Sequence, residues 1–162
     1  MIEIEDVVKK LPSSWIPSPA LTTVTENVIS NRTSKDLPHD FLKFHELSDG
    51  GEGKLKDIYL TLWPLADVEK LTKEYGFQEH MKPTLIAVGT TDDAFLAFDF
   101  TDNLGKWVVF PFGDFDLEEL CEISTSFADT LVRFIDNRFP KKAADLLGSS
   151  SFRVEFDSEN PS

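Results

Sequence analysis

Residues 85–112, LIAVGTTDDAFLAFDFTDNLGKWVVFPF, decide the fold. In the middle of this stretch Leu96, Phe98 and Phe100 fall on one face and Phe95, Ala97 and Asp99 on the other, the period of two that marks a strand. Leu85 to Val88 before it and Lys106 to Phe112 after it are also strand-like. Five residues containing Asn103 and Gly105 join the second run to the third, which predicts an antiparallel hairpin. The alternation turns Asp99 outward, where it is either a plain solvent-facing side chain or a fixed acceptor for a partner group.

Toward the N-terminus, Ile58, Leu60 and Leu62 alternate with Tyr59, Thr61 and Trp63, and Pro64 ends that strand. Leu65, Val68, Leu71 and Tyr75 form a helical stripe that Gly76 stops. Further back, Pro38 suits a first helical turn, Phe41, Phe44 and Leu47 share a face, and Gly50 and Gly51 supply the stop, with Gly53 part of the same turn. Leu21, Val24 and Val28 suggest a short helix ending near Asn31. The first 20 residues read as a short helix or strand followed by an irregular, proline-broken approach.

Toward the C-terminus, Asp116 can cap a helix while Glu119 reaches back to it. Leu117, Leu120, Cys121, Ser124, Phe127, Ala128, Leu131, Phe134 and Ile135 then follow one stripe, predicting a single helix of about five turns. Beyond Pro140 the pattern weakens, although Phe152, Val154 and Phe156 alternate like a short edge strand before a frayed tail from Asp157. The expectation is an α+β fold: a single domain over 1–140, core about 21–135, with a mixed or mostly antiparallel sheet flanked by helices. Residues 141–162 are expected to be a C-terminal extension, partly disordered.

The chain has 162 residues, 41% of them hydrophobic, and a formal charge of −13. That length suits one domain able to bury a core without staples. A single cysteine, Cys121, cannot close an internal disulfide, and no charged-then-apolar leader opens the sequence, so a cytoplasmic location is expected. No apolar run approaches the roughly 20 residues of a membrane span. The charge argues against nucleic acid or anionic membrane as a direct partner, since both would repel it. Between Asp92 and Asp129 ten acids face one base, Lys106, a charge of −9. Phenylalanines interleave with these acids, so the segment is folded with an acidic exterior rather than a disordered tail.

No catalytic motif emerges. His39, His45 and His80 lack the helical spacing of a zinc site. Cys121, on the apolar stripe, is expected to be buried with a raised thiol pKa. Ser48, Ser124 and Ser126 lack a glycine-flanked nucleophile turn, and Gly50, Gly51 and Gly53 end a helix instead of opening one around phosphate. Asp92 with Asp93, and Asp114 with Asp116, are explained as turn ends and helix caps, without the spacing of a calcium loop. No catalytic residue, metal or cofactor is expected, and the protein is read as a non-enzyme.

Leu37, Pro38, Asp40 and Phe41 lead into an apolar helix that stops at Asp49, Gly50 and Gly51. With the strand ending at Gly89, the strand reaching Asp99, and Ser126 and Phe127 in the last helix, this order resembles the SUKH superfamily, which includes Smi/Knr cell-wall-regulator domains and many bacterial immunity proteins. Asp49 stands where that pattern usually has asparagine. The resemblance implies an α+β domain that acts by binding another protein, with Leu37, Pro38, Asp40, Phe41, Asp49, Gly50, Gly51, Gly89, Ser126 and Phe127 in structural roles.

The resulting expectation is an immunity protein, a monomer or weak dimer, that neutralises a cognate bacterial toxin of nuclease type by direct binding. The alternative is a non-catalytic regulatory or scaffolding domain of the Smi/Knr type. A nuclease cleft must be basic to hold phosphate, and an acidic inhibitor complements it. Asp99, Asp102, Glu118, Glu119, Glu122 and Asp129 are the expected contact residues; the plainer role for the same acids is solubility.

Overall fold

In the computed structural model, described for residues 2–19, 37–101, 105–113 and 116–148, the strands Leu85–Thr90, Ala94–Asp99 and Lys106–Pro111 lie within a seven-stranded sheet. The strands are β1 (Ile16–Pro17), β2 (Gly51–Leu55), β3 (Ile58–Leu62), β4 (Leu85–Thr90), β5 (Ala94–Asp99), β6 (Lys106–Pro111) and β7 (Cys121–Ser124). They lie side by side in chain order and every pair is antiparallel. Six α-helices accompany them among the described residues: α1 (Ile4–Lys9), α2 (His39–Leu47), α3 (Leu65–Tyr75), α4 (Phe77–His80), α5 (Phe127–Asp136) and α6 (Lys141–Leu147). The chain is therefore a single α+β domain. The helix expected over Leu21–Asn31 and the strand expected over Phe152–Phe156 lie outside the described residues.

The centre of the sheet is buried on both faces, so all six residues of β5 are inaccessible, whereas β2 and β3 alternate buried residues with more exposed ones. On the main face Leu96, Phe98, Trp107 and Val109 meet α1, α2, α5 and α6. Phe127 is the hub there, its ring packing edge-on against Phe41 at 4.8 Å and tilted against Trp107 at 5.0 Å. On the opposite face Phe95, Ala97, Val108 and Phe110 meet Phe77 and Met81 around the short α4. Aromatic pairs at such centroid distances add about 0.5–1.5 kcal/mol each beyond the area they bury.

The sheet forks between β3 and β4, which pair only at Thr61 with Thr90 and Leu62 with Gly89. Below the fork α3 takes the place of a neighbouring strand. The Thr72 hydroxyl donates to the Ala87 carbonyl at 3.2 Å and accepts from the Ala87 N–H at 3.0 Å, so one side chain satisfies both edge groups of that residue. Gln78 does the same for the Leu85 carbonyl at 3.1 Å. Unpaired, these buried backbone groups would each cost about 1–3 kcal/mol.

Several expectations need correcting. Leu117 to Ile135 is not one helix but a 3₁₀ turn (Leu117–Glu119), strand β7 and then α5. Asp116 caps the short turn, accepting from the Glu118 N–H, and Ser126 caps α5, accepting from the Asp129 N–H. Cys121 and Ile123 face the core by strand alternation, a pattern that a helical stripe through Leu120, Cys121 and Ser124 imitates. Gly51 and Gly53 belong to β2 rather than to a turn. On α2 it is His45, not Leu47, that joins Phe41 and Phe44 inside, and Leu47 is 45% exposed. The packed unit also continues past Pro140, because α6 buries Ala143, Ala144 and Leu147.

Candidate functional site

Leu37, Pro38, Asp40, Phe41, Asp49, Gly50, Gly51, Gly89, Ser126 and Phe127 lie in the core, at helix ends or at strand junctions. Leu37 and Phe41 are core, and Pro38 stands at the N-cap of α2. Asp40 accepts from the Ala128 N–H at 2.9 Å, so a carboxylate on α2 caps α5. Asp49 Oδ1 lies 2.8 Å from His45 Nδ1 and accepts from the Leu65 N–H at 2.8 Å, capping α3, whose own N-cap Pro64 has no side-chain acceptor. Two carboxylates from one short segment thus tie three helices together. Each sits at a helix N-terminus, where the exposed N–H groups and the dipole favour negative charge.

Gly50 has φ +94°, and a Cβ there would lie 2.4 Å from the Leu62 carbonyl oxygen, so the turn from α2 into β2 requires glycine. Gly51 opens β2. Gly89 sits at the fork, where an added Cβ would fall 2.1 Å from the Thr61 carbonyl oxygen. A register shift between Ala87 and Gly89 marks a β-bulge at the same place. Ser126 and Phe127 supply the α5 cap and the core hub already described.

The six acids expected to form a contact surface do not share one. Asp99 is 1% exposed and faces inward, which overturns its assignment as a solvent-facing contact residue. It accepts from Lys82 Nζ at 2.6 Å, from the Thr84 hydroxyl at 2.7 Å and from the Thr101 N–H at 3.0 Å, locking the loop before β4 to the end of β5. Burial would push its carboxyl up, but hydrogen bonds from Lys82, Thr101 and Thr84 outweigh this and hold its pKa below the ordinary range. Asp102 lies outside the described residues. Asp129 is half-buried and already bound, accepting from Ser124 Oγ at 2.7 Å and Arg133 Nε at 2.9 Å. Burial raises its pKa, while Ser124 and Arg133 lower it by more. Among the five of these acids that are described, only Glu118, Glu119 and Glu122 stand exposed, on the 3₁₀ turn and the edge strand β7. Asp116 is exposed beside them with its carboxylate on the Glu118 N–H, and Glu122 lies 3.7 Å from Lys106 Nζ, so these exposed carboxylates form a short ridge along one edge of the sheet.

Two of the concavities among the described residues lie away from this ridge. A cavity of about 630 Å³ opens at the first turns of α2 and α5, lined among others by Ile2, His39, Lys43, Thr125 and Asp129. Its polar groups are largely spent on structure: Asp40 and Ser126 cap α5, and Lys43 pairs with Glu5 at 2.6 Å. A second concavity, a groove of about 450 Å³, is lined by Tyr75, Thr90, Phe95, Phe112 and Gly113. Sequence patterning missed it, assigning Tyr75 to an apolar helical stripe and Phe112 to a strand. The available signals were Pro111, which closes β6 and leaves Phe112 beyond it, and the position of Tyr75 on the last residue of α3.

No arrangement for nucleophilic chemistry appears at these positions. Ser48 donates to the Gly50 carbonyl at 2.6 Å, Ser124 to Asp129, and Cys121 Sγ to the Glu119 carbonyl at 3.3 Å. Burial pushes the Cys121 thiol pKa up, away from the reactive thiolate. Among the described residues no group of three or more His, Cys, Asp or Glu is placed to hold a metal ion, and no helix is long and apolar enough to cross a membrane.

No family model matches the chain, and no curated protein matches its sequence.

Proposed function

We propose that this protein is a non-catalytic, cytoplasmic immunity protein that neutralises a toxin of basic surface, of nuclease type, by binding it directly. The observation that carries this reading is the ridge of exposed carboxylates, Asp116, Glu118, Glu119 and Glu122, along one edge of the sheet in a chain of charge −13. Such a ridge attracts a basic protein from a distance and speeds encounter without any chemistry. The ordered likeness of the sequence from about Leu21 to Ile135 to the SUKH pattern supports the same role.

Co-expression with the product of the neighbouring gene tests it. Relief of that product's toxicity is the expected result, and an active toxin left unrelieved overturns the proposal. On the purified pair, added salt and the Glu118→Lys/Glu119→Lys variant should both slow association by about tenfold or more. Association indifferent to both removes the ridge from the interface.

A further inference from the structure

The carboxylate ridge begins on a segment that burial does not hold. The 3₁₀ turn (Leu117–Glu119) has three residues, none of them buried, and Leu117 is 53% exposed. It closes through the Asp116 carboxylate and carbonyl, which accept from the Glu118 and Glu119 N–H groups at 2.9 Å each, and the Leu117 carbonyl, which accepts from the Leu120 N–H at 3.2 Å. A single 3₁₀ turn has poor hydrogen-bond geometry and no neighbouring turns to support it. The like charges of Asp116, Glu118 and Glu119 act to open it.

Two side chains from outside the turn take the carbonyls that follow. Lys142 Nζ donates to the Glu118 carbonyl at 2.6 Å and to the Leu120 carbonyl at 3.0 Å, and between them Cys121 Sγ donates to the Glu119 carbonyl at 3.3 Å. Three successive carbonyls are thus held. Lys142 is fixed at its root, because it lies in the first turn of α6 beside the buried Ala143 and Ala144. An ammonium makes a stronger bond to a carbonyl than a neutral donor does, and its charge here also offsets the repulsion among the carboxylates.

We propose that Lys142 is the positioning residue of the acidic ridge, clamping the turn to α6 so that Glu118 and Glu119 meet a basic protein surface already in place. The proposal rests on the immunity reading above and deepens it. It also reverses the effect that charge alone predicts. Lys142→Met makes the ridge more negative, and a ridge acting only as a patch of charge would then bind a basic partner faster and more tightly. Loss of the clamp leaves a turn that must be ordered on binding, which weakens the complex.

The test compares the full-length protein with Lys142→Met, which keeps the apolar stem, and Lys142→Arg, which can still donate to both carbonyls. In the free proteins, hydrogen exchange at the Glu119 and Leu120 amides and the reaction of Cys121 with a thiol reagent should quicken about tenfold in Lys142→Met, with exchange at Leu96 in β5 changing far less. With the product of the neighbouring gene, Lys142→Met should dissociate about tenfold faster without associating more slowly. Lys142→Arg should stay near the parent protein in every measurement. Exchange at the turn that is unchanged, or that rises only in step with Leu96, overturns the clamp. So does Lys142→Met binding as tightly as the parent or more tightly, a result that leaves the immunity role standing. A parent protein that does not bind the product rejects the immunity reading instead, and the exchange and thiol rates then decide the clamp by themselves.

Discussion

Asp40, on the first turn of α2, caps α5 by accepting the Ala128 N–H across 88 residues of sequence. Removing an N-cap acceptor costs about 0.5–2 kcal/mol. Asp40→Ala should therefore lower the unfolding free energy by about that amount, and Asp40→Asn by less, since an amide oxygen can still accept but carries no charge for the helix dipole. Urea unfolding of the three proteins checks the order.

Thr72→Val keeps the shape of the side chain and deletes the hydroxyl that serves both edge groups of Ala87. The expected loss is about 2–4 kcal/mol, because two buried backbone groups are left without partners. Thr72→Ser should recover most of it. Hydrogen exchange at the Ala87 amide, accelerated in the valine variant and restored in the serine variant, reads the same change locally.

Asp99 and Asp129 both have folded-state pKa values below the ordinary carboxylate value. Each therefore binds protons less readily in the folded chain than in the unfolded one. The stability they contribute is complete above the unfolded value of about 3.9 and is lost as pH falls through their lower folded values. Unfolding free energy measured between about pH 7 and pH 2 should fall at the acid end. Asp99→Asn should flatten that fall, starting from a less stable protein at neutral pH because Lys82 loses its charged partner.

Gly89→Ala places a methyl 2.1 Å from the Thr61 carbonyl oxygen, a backbone atom that cannot swing aside. The variant must open the fork between β3 and β4, at a cost at or above the roughly 1–3 kcal/mol of ordinary overpacking. Thermal unfolding should show a markedly lower midpoint. Native-like stability would mean that the bulge at Val88 absorbs the methyl.

Cys121 should react with a thiol reagent at neutral pH only as fast as the protein opens, since the thiol is buried and its pKa raised. Urea at the unfolding midpoint should bring the rate to that of a free cysteine. A fast reaction in the native protein would contradict the burial of β7.

What could be read from the sequence was local. The alternation in β3, β5 and β6 and the Leu65–Tyr75 helix with its left-handed Gly76 cap are properties of neighbouring residues, and they stand in the structure where the pattern placed them. β2 was hidden because glycine at two of its five positions removes the apolar side chains that make alternation visible. β7 and α5 were fused because a four-residue strand followed by a capped helix can mimic one longer stripe. Asp99 was misplaced for a different reason. Its direction follows from the alternation, but its burial follows from Lys82 and Thr84, 17 and 15 residues away, which no local pattern connects to it. The aromatic groove is likewise a tertiary object, assembled from the end of a helix, a strand pair and a residue past Pro111.

The ordering of the strands has a consequence for how the molecule assembles. Each strand pairs only with those next to it in the chain, so the β2–β3, β4–β5 and β5–β6 hairpins can each close over a short loop at a small entropic cost, while the β1–β2 and β3–β4 pairs close over longer connections. The sheet can grow one strand at a time as the chain leaves the ribosome. The links from Asp40 to α5 and from Lys142 to the carbonyls of Glu118 and Leu120 cannot form until its last strand is in place. They act as late clasps on a zipper, holding closed what neighbouring residues have already drawn together.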